Sequence, residues 1–287
     1  MNNNEGFIHY DAYHLYYQRF GTGPKVLLAF HGFDGNSADF EKLQISLGID
    51  YSIFSFDLFF HGKSYIDQSV DDPILNDTTF GDLIQFFLDK HQLKKTSLLG
   101  YSLGGKLAMG LVEVMPYKWE NIFLIASDGF KQSLWNNFVA STTLGQLIFE
   151  RVIRHPQIFV KVAAVMKRVK LLPHKLHSFL LLQMESPEKR KKVYDVLLLY
   201  REYRPNISRL GNICKRYQIN LQVIAGKNDE IVPPQPMIEF MQGVNFGNMH
   251  LLNCAHNLLD LPNELATIVK NNLLHTVSWE MKAAQNV

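Results

Sequence analysis

Three side chains in this sequence have the types that nucleophilic acyl chemistry needs: Ser102, Asp229 and His256. A serine hydroxyl is a weak nucleophile until a base takes its proton during attack, and a histidine can do so near neutral pH. A carboxylate on the other ring nitrogen fixes the tautomer and stabilises the imidazolium. Ser102 stands in Gly100-Tyr101-Ser102-Leu103-Gly104, a G-x-S-x-G string. Taken alone the string is a modest signal, because Gly and Ser are common in plain loops. Its flanks strengthen it. The apolar run Thr96 to Leu99 leads in as a strand, and Lys106 to Met115 leaves with helical spacing. A serine on a tight strand-to-helix turn takes a strained backbone conformation that aims its hydroxyl away from the sheet. Small residues two before and two after let strand and helix approach each other.

The elements that must position these groups alternate. Tyr13 to Phe20 is strand-like and ends at the turn cluster Gly21-Thr22-Gly23-Pro24. Val26 to Phe30 and Tyr51 to Phe56 are continuous apolar runs, which suit strands covered on both faces. Ser37 is expected to cap a helix from Ala38 to Leu47, and Asp77-Thr78 one from Thr79 to Lys90. Further strands are expected at Asn121 to Ala126, Ile219 to Ala225 and within Val244 to Leu252. Pro262 opens a last helix running to about Thr276, and the tail from Lys282 is expected to fray. Alternating strands and helices imply a mostly parallel sheet flanked by helices, an α/β fold. Ser102, Asp229 and His256 each fall just after a strand. In an open α/β sheet ligands bind at the carboxyl ends of the strands, so all three should meet on one rim.

From about Phe130 to Asn212 the rhythm changes to helices alone, with breaks at Pro156 and Pro173. Ser186-Pro187-Glu188 starts a helix expected to reach about Tyr203. The expected organisation is a core of residues 1–129 and 213–287 interrupted by an all-helical cap at 130–212. From Arg151 to Arg204 there are 13 Lys or Arg against 4 Asp or Glu, a net +9 within a chain of net +2. The run Lys189-Arg190-Lys191-Lys192 reads first as a solvated helix face. The sharper reading is a basic rim for an anionic substrate, a carrier-bound acyl group or an anionic membrane surface.

At 287 residues, 47% hydrophobic and 20% charged, the chain is an ordinary globular one, and its small net charge points to neither nucleic acid nor a membrane. Cys214 and Cys254 form no C-x-x-C and have no His-rich partner, so two free thiols are expected ahead of a disulfide. Met1-Asn2-Asn3-Asn4-Glu5 lacks the basic and apolar regions of a signal peptide, and no apolar stretch reaches about 18 residues without a charge. The expected location is cytoplasmic. No His and carboxylate cluster has metal-ligand spacing and no glycine loop suits a phosphate. Neither a metal nor a cofactor is expected.

His31-Gly32-Phe33, Asp57 to Ser64 (like D-x-x-G-x-G-x-S), Gly100 to Gly104, Gly226 to Val232 (like G-x-x-D-x-x-V-P) and His256 together resemble the α/β-hydrolase superfamily, in a serine-nucleophile form with a helical cap. The resemblance covers nearly the whole chain, and the order Ser, acid, His is the one that fold uses. It implies a Ser102–His256–Asp229 triad, with the backbone N–H groups of Phe33 and Leu103 as the oxyanion hole. Two positions depart from the pattern: Phe60 replaces the first glycine of the second motif, and Ala255 the glycine before the histidine. Asp128, just after a strand where some members place their acid, rivals Asp229. His31 and His61 are expected to shape the oxyanion loop, and Asp57 to tie it down. Phe33, Tyr101, Leu103 and Leu258 are expected near the substrate pocket. The implied activity is hydrolysis of an ester or related acyl bond of a small, partly apolar substrate, with thioester and C–C cleavage and acyl transfer open. The competing class is a non-catalytic small-molecule binder. The elbow serine argues against the aspartate-nucleophile dehalogenases and epoxide hydrolases of the same fold. Oligomeric state is not legible.

Overall fold

The computed structural model of the chain describes residues 4–131, 139, 142–170 and 172–271. The strands are β1 Glu5–Tyr10, β2 Tyr13–Phe20, β3 Lys25–Phe30, β4 Tyr51–Phe56, β5 Tyr65–Ile66, β6 Thr96–Tyr101, β7 Trp119–Ile125, β8 Asn220–Gly226 and β9 Asn248–Leu252. They form one sheet in the order β1-β2-β4-β3-β6-β7-β8-β9, with short β5 beside β2. From β4 onward along this order every pairing is parallel, while β1 and β2 run antiparallel. β1 was not expected; its Glu-Gly-Phe-Ile-His-Tyr lacks a continuous apolar run because it is an edge strand with one fully buried residue, Ile8. Central β4, by contrast, is buried at every position.

The helices are α1 Leu43–Leu47, α2 Asp77–Lys90, α3 Leu103–Val114, α4 Thr143–Arg154, α5 Pro156–Arg168, α6 His174–Gln183, α7 Pro187–Leu199, α8 Ile207–Tyr217, α9 Gln235–Gly243 and α10 Pro262–Asn271. Strand residues alternate between two cores. Leu28 and Phe30 join Leu83, Leu107, Leu210 and Met237 from α2, α3, α8 and α9, whereas Leu27 and Ala29 join Leu43 and Leu265 from α1 and α10. Helices therefore cover both faces, which is why the central strands read as apolar runs.

Two helix starts differ from expectation. Asn36, not Ser37, is the cap after β3, accepting the Ala38 N–H in a capping box with Asp39, and the first turn Ser37–Phe40 is 3-10. Ser37 is occupied elsewhere: its N–H donates to Asp57 at 2.6 Å and its hydroxyl to Gln18 at 3.0 Å. Asn76, one residue before the expected Asp77, caps α2 through the Thr79 N–H. Ser186 caps α7 as expected, but the helix stops at Leu199. The chain turns there because Tyr203 inserts into the core and donates to the Leu107 carbonyl at 2.7 Å. The expected end of the last helix near Thr276 lies outside the described residues. Both cysteines are free thiols, Cys214 buried.

Helices α4 to α7 join β7 to α8, and α8 packs on α3 and β8. Charges staple these inserted helices to the sheet layer. Arg201 meets Asp72 through two bonds of 3.1 and 2.6 Å, Lys192 meets Asp34 at 2.8 Å, and the Lys175 N–H at the start of α6 donates to Glu230 at 2.7 Å. A Cβ at Gly104 would stand 2.0 Å from the Phe30 carbonyl oxygen, so α3 crosses β3 at backbone contact. Gly104→Ala is expected to force these elements apart and destabilise the fold by about 1–3 kcal/mol, read as a lowered urea midpoint; an unchanged midpoint would contradict the close crossing.

Candidate active site

At the end of β6 the chain makes the expected turn. Ser102 has φ +51° and ψ −115°, a conformation that L residues rarely adopt. It persists because the surroundings over-determine it. The Ser102 N–H donates to the Ile125 carbonyl at 2.9 Å, and the Ser102 carbonyl accepts from Gly105 and Asp128, each at 3.0 Å. A Cβ at Gly100 would stand 2.5 Å from both the Gly104 oxygen and the Gly105 Cα, so the small residues around the serine are a steric requirement. Leu103 opens α3, and as the first helical N–H it has no intrahelical acceptor.

The loops after β8 and β9 are tied together by Lys227 N–H to the Leu252 carbonyl at 2.9 Å and Asn228 N–H to the Cys254 carbonyl at 3.0 Å. This brings His256 Nδ1 to 2.7 Å from Asp229 Oδ2. The Asp229 side chain is fully buried, and its other oxygen accepts the N–H groups of Ile231 and Val232, each at 2.9 Å. Two main-chain N–H groups and the ring thus satisfy both oxygens of this buried carboxylate. With a carboxylate accepting at Nδ1, the ring carries its proton there and leaves Nε2 as an acceptor. Asp128 is engaged differently: its carboxylate accepts the Gly129 N–H at 2.8 Å and lies near Lys106, whose ammonium burial disfavours and Asp128 supports. Tyr101, beside the serine, bridges to the histidine loop. Its hydroxyl donates to the His256 carbonyl at 2.5 Å, and the two rings lie 5.2 Å apart. Burial, then the charge of Asp229, pushes this phenol well above its ordinary pKa, so it stays a donor.

The loop after β3 reaches the same place. A Cβ at Gly32 would stand 3.1 Å from the Ser102 Cβ, which sets Phe33 beside the elbow. His31 is fully buried; Nε2 accepts the Leu58 N–H at 2.9 Å and Nδ1 donates to the Gly32 carbonyl at 2.6 Å. His61 accepts the Asp34 N–H at 3.1 Å and donates to the Phe59 carbonyl at 2.9 Å. Asp57 accepts from Ser37 and from Lys63, both at 2.6 Å.

A family model described as the alpha/beta hydrolase fold matches residues 25–147. A thermophilic esterase from Thermogutta terrifontis superposes with a TM-score of 0.69 at 17% identity, covering 94% of this chain and 97% of that one. The chain has the α/β-hydrolase fold. A thioesterase domain from the curacin biosynthetic pathway superposes with a TM-score of 0.64 at 17% identity, covering 93% and 98%. Ethanol acetyltransferase 2 of Hanseniaspora uvarum is 29% identical over 131 residues, 44% of this chain and 36% of that protein. The chain spans between about a third and under a half of the length of such curated relatives.

Both departures from the α/β-hydrolase motifs have a physical account. Ala255 has no positive φ, so that position asks nothing of glycine. Phe60 does take φ +64°, in the left-handed region, at an expense of roughly 1–2 kcal/mol; its side chain packs against the core in return. Phe33 is half-buried, with Phe179 of α6 6.4 Å away and the Lys192 ammonium 5.7 Å from its ring. Leu258, expected at the pocket, is fully buried in the α1–α10 core. The basic run is less open than its composition suggests. Lys189 pairs with Glu185, Lys191 with Asp195 and Lys192 with Asp34, while Arg190 donates to the Ile153 and Met184 carbonyls. Sequence reasoning missed the Lys192–Asp34 contact and the Tyr101 bond to the His256 carbonyl. Neither has a local signal, since both join distant segments.

Burial lowers the pKa of His31 to about 4 and of His61 to about 3, so both are neutral in the folded protein. The unfolded chain takes up their protons near pH 6.5. Their contribution is full above that pH and is lost as pH falls from about 6.5 toward 4, by up to roughly 3 kcal/mol each. Urea midpoints are expected to drop across that window, and less steeply in His61→Gln, which keeps an acceptor for the Asp34 N–H. Equal slopes in both proteins would rule out the buried neutral ring.

Proposed function

We propose that this chain is a serine hydrolase that cleaves an ester or related acyl bond of a small, partly apolar substrate through Ser102, His256 and Asp229. The observation that carries the reading is the 2.7 Å bond from His256 Nδ1 to a fully buried Asp229 carboxylate, on the same rim as a serine held at φ +51°. His256 Nε2 takes the hydroxyl proton as Ser102 Oγ attacks the acyl carbon. The negative charge that develops on the acyl oxygen is met by the N–H groups of Phe33 and Leu103, donors fixed before the reaction begins. Collapse passes the proton from His256 to the leaving alcohol or thiol and leaves an acyl-serine. Water, deprotonated by His256, attacks this ester and returns Ser102 as the hydroxyl. No step calls for a metal or cofactor. Asp229 rather than Asp128 is the orienting acid, because Asp128 is spent on its own turn and on Lys106.

The acetyltransferase relative favours a second fate for the same intermediate, with an alcohol instead of water accepting the acyl group. Product analysis with a p-nitrophenyl ester and added ethanol separates the two: free acid marks hydrolysis, ethyl ester marks transfer.

A fluorophosphonate probe is expected to label the folded protein at Ser102 and not Ser102→Ala, which should lose turnover. Asp229→Asn is expected to lower kcat about ten-thousand-fold, by presenting the wrong tautomer, while Asp128→Asn stays near wild type. An unlabelled Ser102 would sink the enzyme reading. Labelling without turnover on p-nitrophenyl esters of any chain length would favour a binder. A collapse in Asp128→Asn with active Asp229→Asn would reassign the acid.

A further inference from the structure

Helix α5 is built inside out. Its inward side consists of Phe159, Ala163 and the half-buried Lys167. Its outward side carries Ile158, Val162, Val165 and, just past its end, Val169, exposed by 55, 53, 62 and 56%. Their spacing of four, three and four residues makes one continuous stripe along the helix. Leu144 and Leu147 on neighbouring α4 are exposed by 61 and 58%. Single exposed apolar residues are ordinary, but a stripe at helical spacing marks a surface that something covers.

The charge around the stripe says what kind of surface. Residues 143–170 contain Arg151, Arg154, Lys161, Lys167, Arg168 and Lys170 against the single acid Glu150. Of the chain's net +2 this stretch holds +5, leaving −3 elsewhere. Lys161 and Arg168 sit one turn from the stripe residues and flank it. Arg154 pairs with Glu150 at 3.5 Å; among the described residues no carboxylate lies within ion-pair reach of Arg151, Lys161, Arg168 or Lys170. On α7, by contrast, each lysine of the run has its carboxylate. On α4 and α5, cations without a carboxylate partner and exposed apolar side chains thus occur together.

We infer that the α4–α5 face docks on an anionic lipid bilayer surface. The stripe enters the boundary between headgroups and acyl chains, and the flanking cations meet lipid phosphates and carboxylates. A second copy of this chain is the poorer occupant, because the exposed cations of one face would meet the same cations of the other. Residues 132–141 and 272–287 carry no net charge, so neither answers the cations. The −3 on the remainder turns the other faces away from an anionic membrane and favours one orientation. No described helix is long and apolar enough to cross a membrane, and α5 has 13 residues, so the contact is peripheral. Docking does not depend on Ser102 being a nucleophile.

Co-sedimentation of the full chain with vesicles of phosphatidylcholine alone, and of phosphatidylcholine with phosphatidylserine, tests this. Binding is expected to the phosphatidylserine vesicles only, and to weaken as salt is raised. Val162→Glu/Val165→Glu is expected to weaken it about tenfold or more, with the thermal midpoint and fluorophosphonate labelling unchanged, and Ser102→Ala is expected to bind as wild type. Four results would overturn the inference: no sedimentation with phosphatidylserine, equal binding to neutral vesicles, undiminished binding by the double variant, or a lipid-free dimer that the double variant dissolves.

Discussion

The backbone of Ser102 is the constraint on which the rest of the site depends. A positive φ at a non-glycine residue is unfavourable, and here it is held by β7 on one side and the first turn of α3 on the other. That hold exists because the glycines at 100 and 104 allow backbone contact between β6, α3 and β3. The same contact sets Gly32 against the serine and so fixes where the Phe33 N–H can lie. One steric condition therefore positions both the hydroxyl and the donors proposed to meet the developing charge.

Around this point the molecule uses buried neutral histidines as spacers. His31 and His61 each accept one main-chain N–H and donate to one main-chain carbonyl, so each clamps two loop segments without introducing charge. Asp57 does the complementary work as an acceptor only, each carboxylate oxygen taking one main-chain N–H. Phe60 shows that a motif glycine can be replaced when core packing offsets a left-handed backbone.

The inserted helices use their charges in two ways. Lys192, Arg201 and the N-terminus of α6 reach carboxylates of the sheet layer, in the loop after β3, the segment before α2 and the loop after β8. Exposed pairs of this kind add only about 0.2–1 kcal/mol each, but they tie the insertion to the segments that frame the site. The cations of α4 and α5 reach none of these, and there the apolar side chains turn outward.

Much of the core was readable in order: the apolar runs of β3, β4, β6, β7 and β8, the proline-opened helices, and the positions of Ser102, Asp229 and His256 after strands. These are local signals, set by burial on both faces and by turn chemistry within a few residues. The edge strand β1, the caps Asn36 and Asn76, the end of α7 and the fate of each lysine in 189–192 were not readable. β1 rests on its hairpin partner β2, and Lys189 and Lys191 meet Glu185 and Asp195 one helical turn away, whereas Asp57 takes Ser37, Leu107 takes Tyr203 and Asp34 takes Lys192 from far along the chain. The choice between Asp128 and Asp229 as the histidine's partner belongs to the same class. Both follow strands and both are flanked by turn residues, and only the tie between the β8 and β9 loops brings one of them to 2.7 Å from the ring. The sequence by itself determined which residues have the chemistry and at which end of which strands they stand. The tertiary structure alone decided which of them touch, because contact across the rim depends on how neighbouring loops are joined and not on the residues within either loop.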